Sequence, residues 1–169
     1  MRPTTTLSRV RDLSPCKSRW RLALRKAGGI RKYGADTPIT VRQIVETVGL
    51  NDALWCLRTM PEHNNLWQLF AVSCARRVQH LMTDPRSVAA LDVAERYARG
   101  KATDEDLAAA RAASRAASIA AASDAAWAAW AASAASNAAA RAASSDAAWA
   151  AERAWQAAEL IRICEEIEP

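Results

Sequence analysis

Hydrophobic positions recur at the spacing of an α-helix from residue 38 onward. The pattern predicts one helix that begins after an N-cap at Thr40 and ends at Gly49. A second helix is predicted from an N-cap at Asn51 to about Met60. The apolar positions are Val41, Ile44, Val45 and Val48 in the first helix and Leu54 and Leu57 in the second. Both helices are amphipathic, so one face of each is expected to be buried.

Two longer helices are predicted next. The third covers residues 66–82, and its apolar residues recur at spacings of three and four, which predicts a single buried stripe. The fourth is capped by Thr83 or Asp84 and closed by Gly100, with Pro85 in its first turn, where a missing N–H breaks no hydrogen bond. The stripe of the third helix consists of Trp67, Phe70, Cys74, Val78 and Leu81.

The last region of the chain is rich in alanine. Thr103 with Asp106 three residues later predicts the N-terminus of its first helix. Residues 108–151 contain 27 Ala among 44 positions, and alanine is the best helix former. The sequence Ser-Asp-Ala-Ala-Trp-Ala-Ala at residues 123–129 recurs at residues 145–151. The repeat fits either one long helix or a hairpin in which each copy begins a helix, and we expect the hairpin.

These elements predict an all-α protein of three parts. Residues 1–37 are expected to form a basic, flexible leader, because they have little apolar surface to bury. Residues 38–102 form a small helical domain of about four short helices. Residues 103–169 form the Ala-rich hairpin or array, which packs on that domain through tryptophans, since each buries far more surface than an alanine methyl. These tryptophans, which are also candidate ligand-binding aromatics, are Trp127, Trp130, Trp149 and Trp155.

Charge is distributed unevenly along the chain. Residues 1–50 hold 11 Lys and Arg against 3 acidic residues, whereas residues 101–169 hold 6 against 10. Residues 1–35 are therefore a candidate segment for binding nucleic acid through its phosphates. The candidate phosphate contacts are Arg19, Arg21, Arg25, Lys26, Arg31 and Lys32. A weak helix-turn-helix pattern over residues 41–60 would add sequence recognition, although its second helix begins with Asp52 where a cation is expected.

The cysteines and histidines match no catalytic or metal-binding pattern. The four cysteines are widely spaced and form no C-x-x-C pair, which is typical of reduced thiols in a cytoplasmic protein. Cys74 and His80 lie about 240° apart around the third helix, so they cannot meet there. The sequence thus predicts no enzyme, no metal site and no cofactor. Its longest uncharged stretch, residues 125–140, is too short and too polar to cross a bilayer, so no membrane role is expected.

Three stretches resemble a known kind of protein: Asp-Ala-Leu-Trp-Cys-Leu-Arg at 52–58, Leu-Phe-Ala-Val-Ser-Cys-Ala-Arg-Arg-Val at 69–78, and residues 94–107, which lead into the Ala-rich repeats. On these residues the chain from about Pro38 onward resembles small helical phage and bacterial proteins described as immunity proteins. The resemblance implies a non-enzymatic protein that binds and neutralises a toxin or a host defence component. It also implies a cytoplasmic location, in the host cell if a phage encodes the protein. It supplies no catalytic residues.

The first hypothesis is therefore a helical binding or inhibitor protein that acts on a protein partner. Its candidate contacts are cations of the third and fourth helices: Arg76, Arg77, His80, Arg96 and Arg99. The alternative is a nucleic-acid-associated protein that uses the basic leader and the helix-turn-helix. A further alternative is a small-molecule or nucleotide sponge, in which the Trp-lined hairpin encloses a ligand beside Arg111, Arg115 or Arg141. The Ala-rich helices also offer a surface for a homo-oligomer.

Overall fold

A computed structural model describes residues 1–81, 85–113, 133–134 and 146–166. Within these residues the secondary structure is helical apart from one pair of two-residue strands, so the predicted all-α class is confirmed. The chain divides into two compact units, of which the first holds residues 1–63 and the C-terminal residues from Leu160, and the second holds residues 64–159. The boundaries predicted after residues 37 and 102 do not match these units.

The first unit begins with a strand where the sequence predicts a flexible leader. β1 (Thr4–Thr5) pairs antiparallel with β2 (Ile39–Thr40), with Thr4 opposite Thr40. Three helices lie between the strands in the chain: α1 (Leu7–Asp12), α2 (Lys17–Ala27) and α3 (Ile30–Tyr33). Pro3, Thr5, Leu7 and Val10 are buried. The expectation of a flexible leader is therefore corrected, because the first residues of the chain supply a strand and part of a core.

Two short helices follow the second strand. In α4 (Val41–Val48), the Gln43 N–H donates to Thr40 Oγ1 at 3.2 Å and the Thr40 N–H donates to Gln43 Oε1 at 2.9 Å, so Thr40 is the N-cap as predicted. Gly49 ends α4 as predicted and is also the N-cap of α5 (Leu50–Cys56), with a φ of 91° that favours glycine. The predicted N-cap at Asn51 is wrong, because the chain enters α5 directly from Gly49. A 3₁₀ turn at Leu57–Thr59 follows, so the helix ends before Met60.

The core of the first unit combines residues that are distant in the sequence. Its buried apolar residues include Leu7, Val10, Val41, Ile44, Leu50, Leu54, Leu57, Met60, Leu160, Ile163 and Cys164. A buried hydroxyl pair ties the N-terminal strand to this core, since Thr59 Oγ1 lies 2.6 Å from Thr5 Oγ1 and 2.7 Å from the Cys56 carbonyl oxygen. A hydroxyl has one proton, so Thr59 donates to the Cys56 carbonyl and accepts from Thr5.

The described residues of the second unit form α6 (Asn64–Arg77), α7 (Pro85–Ala98), α8 (Asp104–Ala113) and the part of α9 (Asp146–Glu165) up to residue 159, and residues 133–134 are helical as well. α6 packs on α7, and α7 packs on α8. Trp67, Phe70 and Cys74 are fully buried, as the stripe predicts, whereas Val78 follows the end of the helix and is only half-buried. α6 ends at Arg77, and a 3₁₀ turn covers Gln79–Leu81, where the sequence predicts that the helix continues to residue 82.

Two helix starts of the second unit agree with the sequence, whereas α6 begins at Asn64, two residues before its predicted start. Pro85 is the first residue of α7, while the predicted caps Thr83 and Asp84 lie outside the described residues. At the start of α8, the Asp106 N–H donates to Thr103 Oγ1 at 3.2 Å, and the Thr103 N–H donates to Asp106 Oδ2 at 3.0 Å. Both ends of this capping interaction were predicted from the spacing of the two residues.

One contact bears on the two arrangements predicted for the Ala-rich region. Ser133 is helical, its Oγ donates to Gln156 Oε1 at 2.6 Å, and Gln156 Nε2 donates to the Ser133 carbonyl at 3.2 Å. In one straight helix these two residues would lie about 34 Å apart, because each residue adds about 1.5 Å. A single continuous helix through both residues is therefore excluded, in agreement with the hairpin. The repeat copy at residues 123–129, with Trp127 and Trp130, lies outside the described residues.

Candidate functional site

A groove of about 360 Å³ opens on the surface of the second unit, lined by residues of α6, α7 and α9. Leu69 and Val72 of α6 are its aliphatic residues, and Trp155 of α9 adds an aromatic ring. The charged residues around them are Arg76, Arg77, Arg99, Glu95 and Glu159. Three of the five predicted partner contacts thus meet in one place with one of the predicted ligand-binding aromatics. We call these residues the groove.

Arg77 is held in place from two directions. Its Nε donates to Glu152 Oε2 at 2.7 Å, and its guanidinium carbon lies 4.3 Å from the centroid of the Trp155 ring. The Glu152 side chain is only 7% exposed, whereas that of Arg77 is 43% exposed. Glu152 also accepts a hydrogen bond from Gln156 Nε2 at 3.1 Å. The carboxylate therefore anchors one edge of the guanidinium, and the ring supports its face by a cation–π contact.

Arg76 and Arg99 share a single carboxylate on α7. Arg76 Nη2 donates to Glu95 Oε2 at 2.9 Å and to Asp92 Oδ1 at 2.6 Å, and Arg99 Nη2 donates to Glu95 Oε1 at 2.8 Å. Partial burial of Arg76 lowers the pKa of its guanidinium, but the bonds to Asp92 and Glu95 outweigh that effect and the pKa lies above its ordinary value. Arg76 is therefore a permanently charged part of the α6–α7 packing.

Arg99 is the most accessible arginine of the groove. Its side chain is 56% exposed, and its Nε and Nη1 have no acceptor among the residues that the structure describes. A guanidinium carries five N–H donors, so most of those of Arg99 are available to a bound molecule. The groove thus combines fixed arginines, an aromatic ring and donors that are still unused.

The other predicted contact residues lie elsewhere. His80, in the 3₁₀ turn after α6, and Arg96, on α7, are exposed and do not line the groove. Of the predicted aromatics, Trp149 is 37% exposed on α9. The small-molecule alternative rests mainly on residues that lie outside the description: Trp127, Trp130, Arg115 and Arg141, together with the side chain of Arg111.

The predicted phosphate contacts lie on α2 and α3 of the first unit, and all are exposed. Arg19 differs from the others because it forms a bidentate ion pair with Asp52 of α5, in which Arg19 Nε donates to Asp52 Oδ1 at 3.1 Å and Nη2 donates to Oδ2. The pair raises the pKa of Arg19 above its ordinary value, chiefly through the hydrogen bond. Arg19 therefore contributes to the structure of the first unit, and its charge is already compensated.

The helix-turn-helix alternative receives little support from α4 and α5. The second helix has only the seven residues of Leu50–Cys56, and four of them, Leu50, Ala53, Leu54 and Cys56, are buried. The acidic residue in its first turn, Asp52, carries the ion pair with Arg19. A recognition helix presents polar side chains from its N-terminal turns to base edges, and α5 has no cation there.

The cysteines are free, and their surroundings differ. Burial raises the pKa of Cys56 and of Cys164 to about 12 each, and it raises the pKa of Cys74 strongly as well. A buried thiol with a raised pKa stays protonated at neutral pH, so it is a poor nucleophile. Cys16 is exposed, and a hydrogen bond with Ser18 lowers its pKa. In the part of the chain that the structure describes, no three His, Cys, Asp or Glu side chains are placed to hold a metal ion.

Sequence reasoning missed the carboxylates that fix the groove. Glu95 could have been found, because it precedes Arg99 by four residues on one helix, a spacing that favours an ion pair. Glu152 could not, because it lies 75 residues from Arg77 and only folding brings them together.

None of the described helices is both long enough and apolar enough to cross a bilayer. Comparisons of the chain with protein family models, with curated proteins and with solved structures each find no match. The groove and the charged surfaces are therefore the basis on which a function is inferred.

Proposed function

We propose that this chain is a non-enzymatic binding protein that recognises a protein partner through the groove. The observation that carries the proposal is the placement of Arg77 and Arg99 beside Trp155, with Arg77 fixed by Glu152 at 2.7 Å and Arg99 fixed by Glu95 at 2.8 Å. Arginine and tryptophan are the residues most enriched among those that dominate the energy of protein interfaces.

Fixation of these arginines before binding favours affinity. An arginine side chain that is ordered only on association loses about 0.5–1.5 kcal/mol of conformational entropy. Arg77 is already held by one carboxylate and one ring, so its side chain loses this conformational entropy when the protein folds and not when the partner binds. Its exposed edge and that of Arg99 then remain as donors for backbone carbonyls or carboxylates of a partner.

The mixed charge of the groove favours a polypeptide over a polyanion. Arg76, Arg77 and Arg99 alternate with Glu95 and Glu159 around the opening. A phosphate backbone would meet the two carboxylates and be repelled, whereas a protein surface can present both signs of charge. Neutralisation of the partner in the cytoplasm, in the manner of an immunity or anti-defence factor, is the activity that the family resemblance implies, and it forms part of this proposal.

The test is affinity capture from the host cell with three immobilised proteins: the wild type, Arg99→Glu and Lys101→Glu. Lys101 is exposed just after α7 and does not line the groove, so the two variants make the same change of charge at different places. We expect a partner that the wild type and Lys101→Glu retain equally and that Arg99→Glu retains at least about tenfold less, since removal of one central contact costs more than about 1.4 kcal/mol. Binding of the purified partner to each protein by titration calorimetry completes the measurement.

Two results would contradict the proposal. One is capture of the same proteins in the same amounts by all three baits. The other is recovery of a bound metabolite or nucleic acid, with no protein that depends on Arg99.

A further inference from the structure

A second charged surface lies on α2 and α3, and its cations differ from those of the groove. No Asp or Glu occurs between Asp12 and Asp36. Apart from Arg19, the cations of this segment are exposed and form no ion pair with any residue that the structure describes. They are Lys17, Arg21, Arg25, Lys26, Arg31 and Lys32. We call these six residues the basic surface.

The six cations of the basic surface form no ion pairs within the described part of the chain even though carboxylates lie close to α2 and α3, and this makes their free charge informative. Asp52 of α5 comes within ion-pair distance of α2 but binds only Arg19. Glu46 of α4, the helix against which α2 packs, lies 3.6 Å from Arg42, and Asp12 lies 3.8 Å from Arg11. These three acidic groups are thus engaged with other arginines, while Asp36, four residues after Lys32, is exposed and forms no ion pair with a described residue. The six cations leave a concentrated positive potential facing solvent.

The spacing of the cations suits a repeating anion. Lys17, Arg21 and Arg25 follow one another at intervals of four residues along α2, so they lie on one side of the helix about 6 Å apart. Phosphates of one DNA strand succeed each other every 3.4 Å or so along the helix axis, so this interval is close to two phosphate steps. Gly28, at a φ of 82°, ends α2 and lets α3 begin at once, which adds Arg31 and Lys32 within a few residues.

We propose that the basic surface binds the phosphate backbone of nucleic acid without reading its sequence. This site is independent of the groove and goes beyond the proposed function.

The surroundings favour nucleic acid over the two other anionic surfaces. An anionic membrane requires an exposed apolar face for insertion, whereas Trp20, Leu22 and Leu24 of α2 are half-buried and Ile30 alone among the apolar residues of α2 and α3 is exposed. The centre of a protein interface is depleted in charge and holds large apolar anchors, whereas this segment presents cations next to one another. Residues 13–35 also contain no Asn or Gln, the side chains that read adenine, in keeping with contacts to phosphates.

Point substitutions are the right probe, because deletion of residues 1–35 would remove β1 and α1 together with the charges. The test compares the wild type with the double variant Arg21→Gln/Arg25→Gln and with the control Arg58→Gln/Lys101→Gln. All four residues are exposed, and both variants remove two positive charges. Circular dichroism melting curves confirm that each protein folds.

The measurement is the fluorescence anisotropy of two labelled 25-base-pair duplexes of unrelated sequence, from 50 to 200 mM salt. We expect equal affinity for both duplexes, and a salt dependence in which each engaged cation contributes about 0.9 to the slope of log K against log salt. The double variant should bind at least about tenfold more weakly at 100 mM salt and lose roughly 1.8 from that slope. The control should bind within about threefold of the wild type, since its charges do not touch phosphate.

Every other outcome overturns the inference. Affinity that does not depend on salt, or that is unchanged in Arg21→Gln/Arg25→Gln, removes the basic surface as the site. Weakening by the control instead would move binding to Arg58 or Lys101, and the two single variants would tell which. Co-sedimentation with phosphatidylserine vesicles, without binding to either duplex, would assign the surface to membranes. If neither duplex binds while partner binding still requires Arg99, the basic-surface proposal fails and the groove proposal is unaffected.

Discussion

Arg77 and Arg25 both lie in the last turn of a helix, and their surroundings are opposite. Arg77 is fixed by a buried carboxylate and an aromatic ring, as part of a set in which Arg76 and Arg99 are also paired. Arg25 belongs to a set whose charges meet no carboxylate among the described residues. The residue type is the same in both places, so the partners decide what the charge does. A paired arginine is fixed in position and offers only its remaining donors to a ligand, whereas an unpaired arginine offers its whole charge.

The largest expected effect tests whether the N-terminal residues, which include the unpaired arginines of the basic surface, are folded. Leu7 is 6% exposed at the start of α1, so Leu7→Ala should lower the free energy of unfolding by about 3 kcal/mol through lost burial and a residual cavity. Urea denaturation measures it. Leu13→Ala is the control, since Leu13 is 44% exposed and the change should cost less than about 1 kcal/mol. If Leu7→Ala and Leu13→Ala both change the free energy of unfolding by less than about 1 kcal/mol, residues 1–37 form a flexible leader as the sequence predicts.

The next effect compares the paired and unpaired arginines directly. Arg77→Ala leaves the buried Glu152 without its cation and removes the contact with Trp155. Breaking a fully buried pair costs about 3–5 kcal/mol, and because Arg77 is partly exposed we expect about 2 kcal/mol. Arg25→Ala should change the free energy of unfolding by no more than about 0.5 kcal/mol. The comparison fails if both variants unfold at the same urea concentration.

A smaller effect separates stability from binding within the groove. Arg99→Ala removes an exposed ion pair between residues four apart on one helix, so the loss of unfolding free energy should be about 0.5 kcal/mol or less. Partner binding should fall far more, because the unused donors of Arg99 are lost as well. Calorimetry with the partner and urea denaturation of the same sample give both numbers. A loss of stability larger than the loss of binding energy would make Arg99 structural.

The smallest effect concerns a paired arginine in the first unit. Arg42 Nε and Nη2 donate to Glu165 at 2.6 and 2.5 Å, and these bonds lower the pKa of Glu165. Because the folded state has the lower pKa, the pair stabilises the fold above the unfolded value of about 4.3 and loses that contribution as pH falls through the folded value. Wild type and Glu165→Gln should therefore differ in thermal midpoint at pH 7 and converge in acid.

Glu46→Gln provides the control for this pH series, since Glu46 lies 3.6 Å from the same arginine and should matter less. A difference between wild type and Glu165→Gln that grows on acidification would contradict the assignment. If the expected pattern holds, the first unit contains paired arginines too, and the unpaired state of the basic surface is local to α2 and α3.

Local signals in the sequence predicted much of the helical structure. Thr40, Gly49 and the pair Thr103–Asp106 mark helix ends because capping depends on residues within one turn of each other. The stripe that begins at Trp67 predicted the buried face of α6, because residues three or four positions apart lie on the same side of a helix. Asn51 failed as a cap because Gly49 can fill that role at positive φ, and the pattern of polar residues does not record φ.

The long-range features could not be predicted from these signals. β1 and β2 have two residues each, too few to show an alternating pattern, so the ordered N-terminus was missed. Glu165 lies 123 residues from Arg42, and no periodicity links them. For the candidate site, the sequence predicted Arg76, Arg77 and Arg99 as partner contacts. The groove also depends on where the fold places Glu95, Glu152 and Trp155, and the sequence did not predict these placements.

The hydrogen bonds between Ser133 and Gln156 have a consequence for the Ala-rich helices. Helices with alanine surfaces are nearly smooth, so sliding one along another by a turn changes the packing energy little and produces competing arrangements of similar free energy. Two buried polar side chains reduce that degeneracy, because any other alignment breaks the two hydrogen bonds between Ser133 and Gln156. Gln156 is fully buried and Ser133 nearly so. In a chain so rich in alanine, one serine and one glutamine thus fix which residue of α9 lies opposite Ser133.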